Sequence, residues 1–303
     1  MTTLTKHTNR SFLRRMTAAA TAIAVTFSLV SCGSSEKRAL LDDIKAGHVV
    51  LGTKYDQPGL GERTPEKSFE GMDTDVSRYV IEHIAKKNGW AVPEMTWRET
   101  PSAQREALIN NGEVNMIAAT YSINAGRLAS VDFAGPYVVT HQALLVRGDN
   151  KIQGLEDVAP GTKLCSVSGS TPAQKVKAAL PSVQLQEFDT YAACAEGVNQ
   201  GVVDAVTTDA TILAGFAERY RERYNDEYKV VQLKNPDGSF WTDEYYGIGL
   251  PKGDDAGKEA INEALNEMHD SGEFEKIVRK NLGDNFEIGP KPNIGDLSFV
   301  DEK

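Results

Sequence analysis

The sequence predicts an α/β fold in which mostly parallel sheets carry helices on both faces. Short apolar runs of strand length alternate with longer segments whose apolar residues recur at helical spacing, along most of the 303-residue chain. Strands that alternate with helices in this way are typical of parallel sheets. The 272 residues that follow position 31 are enough for two modest lobes, so we expect two.

The first half of the chain alternates between predicted strands and helices. The strands are apolar runs at 49–53, 95–98, 114–119 and 142–147, and the helices are 40–47, 71–89 and 102–111. Asp73 or Thr74 suits the N-cap of the second helix, and Gly89 suits its end. His83 falls on the apolar face of that helix, so we interpret it as a core or rim histidine.

The second half repeats the pattern. Strands are predicted at 163–167, 183–188, 203–207, 229–233 and 244–250, and helices at 173–180, 191–200, 210–220, 256–270 and 273–281. Asp209 precedes the third of these helices and suits its N-cap. From Gly283 the chain is acidic and contains Gly and Pro, which predicts a loosely ordered tail.

The first residues have the composition of an export signal. Four basic residues (Lys6, Arg10, Arg14 and Arg15) precede an apolar stretch at 16–30, and Leu29-Val30-Ser31-Cys32 matches a lipoprotein cleavage site. We expect a signal peptide at 1–31, palmitate or a similar lipid on Cys32 and a flexible tether at 32–40. An uncleaved anchor, or a cleaved signal without lipid, is the alternative. Arg14-Arg15 lacks the rest of a twin-arginine motif, so the prediction is Sec export and anchoring to the outer face of the cytoplasmic membrane.

The charge and the cysteines limit the class of protein further. The chain carries −10, and four of its positive charges lie in the predicted leader, so the remainder carries −14. This charge argues against binding to nucleic acid or anionic lipid. With Cys32 lipidated, Cys165 and Cys194 remain, and an even pair in an exported chain predicts a disulfide; two buried free thiols are the alternative.

Residues 116–137 form an apolar run followed by polar residues that suit an anion. Thr120 and Ser122 end the run, and Arg127 follows five positions later. A guanidinium takes a carboxylate with two parallel hydrogen bonds, and hydroxyl and backbone N–H groups at a strand end add donors. Arg127 alone is more typical of an exposed helix position, so the residue types by themselves leave the site open.

This stretch resembles the polar amino-acid-binding proteins of ABC importers. Their signature has two hydroxyl residues with one position between them, and four intervening positions then separate the second hydroxyl from an Arg. Four more positions separate the Arg from an Asp-Phe pair, and two separate that pair from a Pro-Tyr pair. The stretch from Thr120 to Tyr137 fits this signature. The segments 52–61, 165–177 and 242–250 are similar to the glutamate-binding lipoproteins of this family. The resemblance implies a two-lobe, type II periplasmic-binding-protein fold with two hinge crossings. The implied boundaries are 41–142 plus 245–285 for lobe 1, 143–244 for lobe 2 and 286–303 for a C-terminal tail.

The resemblance also implies roles for individual residues. The positions matching the α-carboxylate ligands are Arg127, Ser122, Thr120, Ser170 and Thr171. Ser170-Thr171-Pro172 begins a predicted helix, whose free N–H groups and positive dipole end suit an anion; Pro172 suits the first position and Thr171 the cap. Asp209 matches the Asp that accepts from the ligand ammonium, with Thr120 beside it, although a helix cap alone would also explain this Asp.

The ligand side chain has several candidate partners. Lys54 stands where glutamine-binding relatives have an Asp that meets the side-chain amide, so a Lys there suits a γ-carboxylate. Arg98 is a second candidate cation and Gln57 a weaker polar candidate, although each charge is by itself typical of a solvated surface. Tyr55 and Tyr121 are candidates for the pocket wall, and Tyr121 suits the core equally well.

The combined prediction is an extracytoplasmic lipoprotein that captures L-glutamate and delivers it to an ABC importer permease. Glutamine, aspartate and asparagine remain open as ligands, and so does an added role as a ligand sensor. An enzyme on the same scaffold, such as a periplasmic dehydratase, would need a general acid or base beside its substrate, and the five histidines join no carboxylate at motif spacing. The sequence lacks a P-loop motif. We therefore expect a monomeric binding protein without catalysis, cofactor or metal.

Overall fold

The computed structural model describes residues 39–224, 228–284, 286–287 and 289–300. The predicted signal peptide, Cys32 and the tether as far as residue 38 lie outside the described residues. Among the described helices, none has the length and apolar character needed to cross a bilayer.

The described residues form helices and strands in close alternation. The strands are β1 His48–Thr53, β2 Asp56–Gln57, β3 Gly61–Arg63, β4 Phe69–Glu70, β5 Glu94–Glu99, β6 Met116–Ile117, β7 Asp132–Thr140, β8 Gln142–Arg147, β9 Lys163–Val167, β10 Gln184–Phe188, β11 Ala205–Asp209, β12 Tyr228–Gln232 and β13 Glu244–Leu250. The α-helices are α1 Leu40–Ala46, α2 Met72–Lys87, α3 Arg105–Asn110, α4 Ala125–Leu128, α5 Thr171–Ala179, α6 Tyr191–Asn199, α7 Ala210–Tyr224, α8 Asp255–Asp270 and α9 Glu273–Leu282. Short 3₁₀ turns lie at Ser102–Gln104, Leu155–Asp157 and Ser298–Val300.

Two five-stranded sheets define two lobes. The sheet of lobe 1 has the order β5-β1-β6-β13-β7, and the sheet of lobe 2 has the order β10-β9-β11-β8-β12. In lobe 1, β1 is parallel to β5 and β6, whereas β13 is antiparallel to β6 and β7. In lobe 2, β9 is parallel to β10 and β11, whereas β8 is antiparallel to β11 and β12. The α/β prediction is therefore confirmed, but both sheets are mixed rather than mostly parallel, since two of the four strand pairings in each are antiparallel.

The two antiparallel strands are the ones that connect the lobes. β8 follows β7 of lobe 1 after a single residue, His141, and enters the sheet of lobe 2. β13 follows the strands of lobe 2 and returns to the sheet of lobe 1. Since a hinge made of two adjacent strand connections permits rotation of one lobe against the other, this topology suits closure over a ligand.

Apolar side chains cover both faces of the sheet of lobe 1. On one face, α2 contributes Val76 and Val80 and α8 contributes Ile261 and Leu265, all of them buried. On the other face, Leu108 of α3 packs in a second cluster with Tyr121 and Phe133. The sheet is consequently a central layer with its polar loops at the strand ends, where parallel sheets place ligands.

Several local predictions differ from the structure. Strand β7 was not predicted, because Gly135 and Pro136 interrupt its apolar run, and the small sheet β2-β3-β4 was not predicted either. The predicted strand at 114–119 is limited to β6 at Met116–Ile117.

The cap prediction for α2 is wrong. The helix begins at Met72 after Gly71, and no side chain bonds its N-terminus. The Asp73 carboxylate instead accepts from the Thr120 N–H at 2.8 Å and from the Tyr137 hydroxyl at 2.7 Å, and Thr74 donates to the Gly71 carbonyl.

The expectation of a loosely ordered tail is also wrong for the described residues 289–300. The Gly295 N–H donates to the Gly135 carbonyl at 2.8 Å, and the Phe299 ring stacks on Tyr245 with 3.8 Å between centroids. Leu297, Phe299 and Val300 pack on the cluster around Tyr121. Ile294 packs on the main core cluster, so four apolar side chains hold this segment in place.

This packing predicts that Phe299→Ala lowers the free energy of unfolding by about 1–2 kcal/mol, because the ring is half-buried and stacked. Thermal unfolding followed by circular dichroism measures the change. Val92→Ala is the control, since Val92 is 56% exposed and its truncation should leave the melting temperature unchanged. Equal melting temperatures for both variants would contradict the tail packing.

Candidate functional site

A small cavity lies where strand ends of the two lobes meet. The residues that line it are mainly hydroxyl and charged: Ser102, Arg105, Thr120, Ser122, Arg127, Ser170, Thr171, Pro172, Tyr191, Asp209 and Ile212. The structure therefore brings together the residues that were predicted for the α-carboxylate and the ammonium.

Arg127 lies between the lobes and is 7% exposed. Its Nη1 donates to the Ser122 carbonyl at 2.6 Å, and its Nη2 donates to the Gly169 carbonyl of lobe 2 at 3.2 Å. The guanidinium lies over the Tyr121 ring at 4.8 Å, and Nε is 3.3 Å from a Glu106 carboxylate oxygen. Arg127 is thus held at a fixed place instead of extending into solvent from α4.

The start of α5 supplies lobe 2's hydroxyl groups. Ser170, rather than Thr171, is the N-cap, because its Oγ accepts from the Ala173 N–H at 3.2 Å, and Pro172 is the second helical residue. Thr171 Oγ1 accepts from Asn124 of lobe 1 at 3.2 Å. Gly169, at φ +75°, passes so close to lobe 1 that an added Cβ would lie 2.7 Å from the Ala103 Cα, so glycine is required here.

Asp209 ends β11 and is 2% exposed. Its Oδ2 accepts from the Tyr246 hydroxyl at 2.7 Å, and its Oδ1 has no partner among the described residues. Burial, with Glu244 nearby, raises the pKa of Asp209 to about 8, although the Tyr246 bond acts in the opposite direction. The predicted role as a cap of α7 is not seen, because the carboxylate bonds Tyr246 of the returning strand.

Thr120 occupies a left-handed backbone conformation with φ +46°. Its hydroxyl donates either to the Ala119 carbonyl at 2.7 Å or to Gln57 Oε1 at 3.2 Å. A hydroxyl whose proton is already committed offers only lone pairs to a ligand. The geometry therefore favours Thr120 as an acceptor, which suits an ammonium rather than a carboxylate.

Lys54 and Gln57 lie behind the cavity and are fully buried. Lys54 Nζ is 3.3 Å from Asp56 Oδ1 but out of hydrogen-bonding geometry, and it lies 5.9 Å from the centroid of the Tyr191 ring and 5.7 Å from that of Tyr55. Burial lowers the pKa of the Lys54 ammonium, whereas Asp56 acts in the opposite direction. Tyr55 is outside the cavity lining and only partly buried.

Arg98 is not among the residues that line the cavity. Its side chain is 46% exposed, and its Nη2 lies 2.6 Å from a Glu113 carboxylate oxygen. Tyr121 is fully buried and packs edge to face on Phe133 at 4.7 Å. Tyr121 is therefore a core residue whose ring also packs against the Arg127 guanidinium.

Arg105, which is 3% exposed, was not among the residues predicted from the sequence. Its guanidinium lies 4.9 Å from the centroid of the Tyr121 ring, and Nε has a long bond of 3.4 Å to the Thr100 carbonyl. Burial and the neighbouring Arg127 lower the pKa of Arg105. The available signal was its place at the start of α3, shortly after β5, since residues beyond strand ends line such sites. Tyr191 and Ser102 were missed for the same reason.

Several buried polar atoms near the cavity have no hydrogen-bond partner among the described residues. They are Asp209 Oδ1, Thr208 Oγ1, Gln57 Nε2 and Lys54 Nζ. Buried polar groups are nearly always paired in native proteins, so a cluster of unpaired ones indicates a binding site. Among the described residues there is no group of three or more His, Cys, Asp or Glu side chains placed to hold a metal ion.

Lobe 2 also contains a disulfide. It joins Cys165 of β9 to Cys194 of α6, with 5.5 Å between the Cα atoms.

Comparison with known proteins places this chain in a family. Residues 49–284 match the bacterial extracellular solute-binding proteins, family 3. The glutamate-binding protein GluB of Corynebacterium efficiens is 55% identical over 97% of this chain and 99% of its own. The ABC transporter glutamine-binding protein GlnH of Bacillus subtilis is 32% identical over 85% of this chain and 91% of its own.

A solved structure has the same fold. An ancestral arginine-binding protein bound to arginine superposes with a TM-score of 0.67 and 29% identity, covering 78% of this chain and 99% of its own. The predicted family, the two-lobe fold and the prediction of a binding protein rather than an enzyme are confirmed. The chain belongs to the bacterial extracellular solute-binding proteins, family 3.

Proposed function

We propose that this protein captures L-glutamate in the cavity between its lobes and delivers it to the permease of an ABC importer. One observation carries the choice of ligand: the same small cavity is lined by two buried arginines, Arg105 and Arg127, and one buried aspartate, Asp209. An acidic amino acid has the complementary charges, since it carries two carboxylates and one ammonium. A relative at 55% identity is named as a glutamate-binding protein, which supports the same choice.

In this proposal the α-carboxylate is bound from both lobes. Arg127 and Ser122 approach from lobe 1, and Ser170 and Thr171 approach from the start of α5 in lobe 2. Charge-assisted bonds to a guanidinium are the strongest hydrogen bonds available here, and the helix N-terminus adds a favourable dipole. Asp209 and the Thr120 hydroxyl accept from the ammonium.

The second carboxylate is assigned to Arg105, with Lys54 and Gln57 behind it. Lys54 already faces the Asp56 carboxylate, so much of its charge is compensated within the protein. Within the described part of the chain, Arg105 makes one long hydrogen bond, to a backbone carbonyl, and it lines the cavity directly. A buried cation with unused donors gains most from an anionic ligand, because both charges are then desolvated together.

Closure follows from the same contacts. Arg127 bonds Gly169, and Tyr246 bonds Asp209, so groups that bind the ligand also join the lobes. A ligand whose charged groups are all paired only when the lobes are closed shifts the protein toward the closed conformation. We further propose a monomer that is anchored through lipid on Cys32 to the outer face of the cytoplasmic membrane.

The ligand assignment predicts different effects for three arginines in calorimetric titrations with glutamate and glutamine. Arg127→Met should weaken the binding of both ligands by at least about 100-fold, because both have the α-carboxylate. Arg105→Met should weaken the binding of glutamate by about 10- to 100-fold and the binding of glutamine much less.

Arg98→Met is the matched control, since its exposed pair with Glu113 lies outside the cavity and its loss should change affinity by less than about two-fold. Tighter binding of glutamine than glutamate by the unmodified protein would exclude glutamate as the preferred ligand. Equal losses for both ligands in Arg105→Met would exclude Arg105 as the partner of the second carboxylate.

The raised pKa of Asp209 predicts that glutamate binding releases a proton below about pH 8. The ligand ammonium favours the ionised carboxylate, whereas burial without it favours the neutral acid. Affinity should therefore rise with pH up to about 8, by at most about tenfold per unit. Titrations in buffers of different ionisation enthalpy count the released protons. Asp209→Asn should release none, whereas Asp149→Asn, with an 80% exposed side chain, should behave as the parent.

The proposed anchor predicts that Cys32→Ser leaves the protein unlipidated. Cells grown with an alkyne analogue of palmitate should label the parent chain and not the variant. The variant should also move from the membrane fraction to the soluble or secreted fraction. Equal labelling of both chains would place the lipid elsewhere or exclude it.

A further inference from the structure

Asp73 is a buried carboxylate that makes no contact with the cavity itself. It lies in the first turn of α2 and is fully buried, and it is absent from the cavity lining. Its two oxygens accept from different elements: Oδ2 from the Thr120 N–H at 2.8 Å and Oδ1 from the Tyr137 hydroxyl of β7 at 2.7 Å. The positive end of the α2 dipole favours a negative charge at this position.

The bond to Thr120 has a special consequence, because Thr120 is β-branched and has φ +46°. Residues other than glycine disfavour this left-handed region, and β-branched residues disfavour it most. A residue persists there only where its surroundings determine the conformation. The Asp73 carboxylate is the partner of the Thr120 N–H, and it is buried so deeply that no solvent competes for the bond.

Thr120 begins the loop that carries the proposed α-carboxylate ligands. Ser122 follows two residues later, and its carbonyl accepts from Arg127 Nη1 at 2.6 Å. A change of backbone conformation at Thr120 would therefore displace its own hydroxyl, Ser122 and the guanidinium together.

We propose that Asp73 is a positioning residue for ligand binding, which fixes the left-handed turn at Thr120 and so sets the geometry of the ammonium and carboxylate ligands. This inference rests on the proposed amino-acid site, although it concerns a residue that the ligand does not contact. The Tyr137 hydroxyl donates to the other oxygen of this carboxylate, so Asp73 holds the loop through its own bond to the Thr120 N–H.

The experiment compares Asp73→Ala in two backgrounds that both lack the Thr120 hydroxyl. Thr120→Ala still disfavours the left-handed turn, whereas Thr120→Gly adopts it without strain. L-Glutamate is the probe and calorimetry gives the dissociation constant. We expect Asp73→Ala to weaken binding by about tenfold or more in the Thr120→Ala background and by less than about three-fold in the Thr120→Gly background.

Tyr137→Phe is the control for a general loss of stability. It removes a hydrogen bond from the same carboxylate but leaves the Thr120 bond in place, so glutamate affinity should stay within about three-fold while the melting temperature falls. Asp73→Asn is the milder variant if Asp73→Ala does not fold. Its amide oxygen still accepts from the Thr120 N–H but carries no charge. We therefore expect a smaller loss of glutamate affinity, which is again larger in the Thr120→Ala background than in the Thr120→Gly background.

Equal effects of the Asp73 substitution in the two backgrounds would overturn the inference, because they would show that Asp73 does not act through the turn at Thr120. Loss of glutamate affinity in Tyr137→Phe as large as in Asp73→Ala would overturn it too. Failure of the unmodified protein to bind glutamate would instead contradict the proposed function, so the two failures are distinguishable.

Discussion

The arrangement of this protein depends on burying charged side chains between two lobes without pairing all of them inside the protein. Arg127, Arg105 and Asp209 are each less than 10% exposed, and they face one small cavity. Buried charges are costly unless they are paired and hydrogen-bonded. Backbone carbonyls, the Tyr246 hydroxyl and the Tyr121 ring pair with part of these charged groups. The hydrogen-bonding groups that remain unpaired suit a zwitterion with an extra carboxylate.

The strand topology makes this arrangement possible. Polar residues after β6 in lobe 1 and after β9 in lobe 2 come from the same kind of position, the end of a parallel strand. β8 and β13 link the lobes and run against their neighbours, so each lobe contains a strand that arrived from the other. Tyr246 belongs to β13 and bonds Asp209 of β11, which places the hinge strand in direct contact with the residue that we propose to bind the ammonium.

The apolar runs in the sequence predicted the α/β alternation, and the resemblance to a known family implied many of the residues that line the cavity, among them Thr120, Ser122 and Arg127. Arg105 and Asp73 were not predicted, because the role of each depends on contacts across more than one element. Strand β7 was missed because Gly135 and Pro136 are strand breakers in isolation. The tail at 289–300 was misjudged because its composition is polar overall, whereas the few apolar side chains decide its packing.

The disulfide has a consequence for the order of assembly. Cys165 and Cys194 both lie in lobe 2, whose sheet is built from β8 to β12, a single uninterrupted part of the chain. In the order of the chain, every strand of lobe 2 therefore comes before β13. Lobe 2 can fold and oxidise as a unit, whereas the sheet of lobe 1 stays incomplete until β13 pairs between β6 and β7. The covalent link, confined to one lobe, leaves the hinge free to open and close in the finished protein.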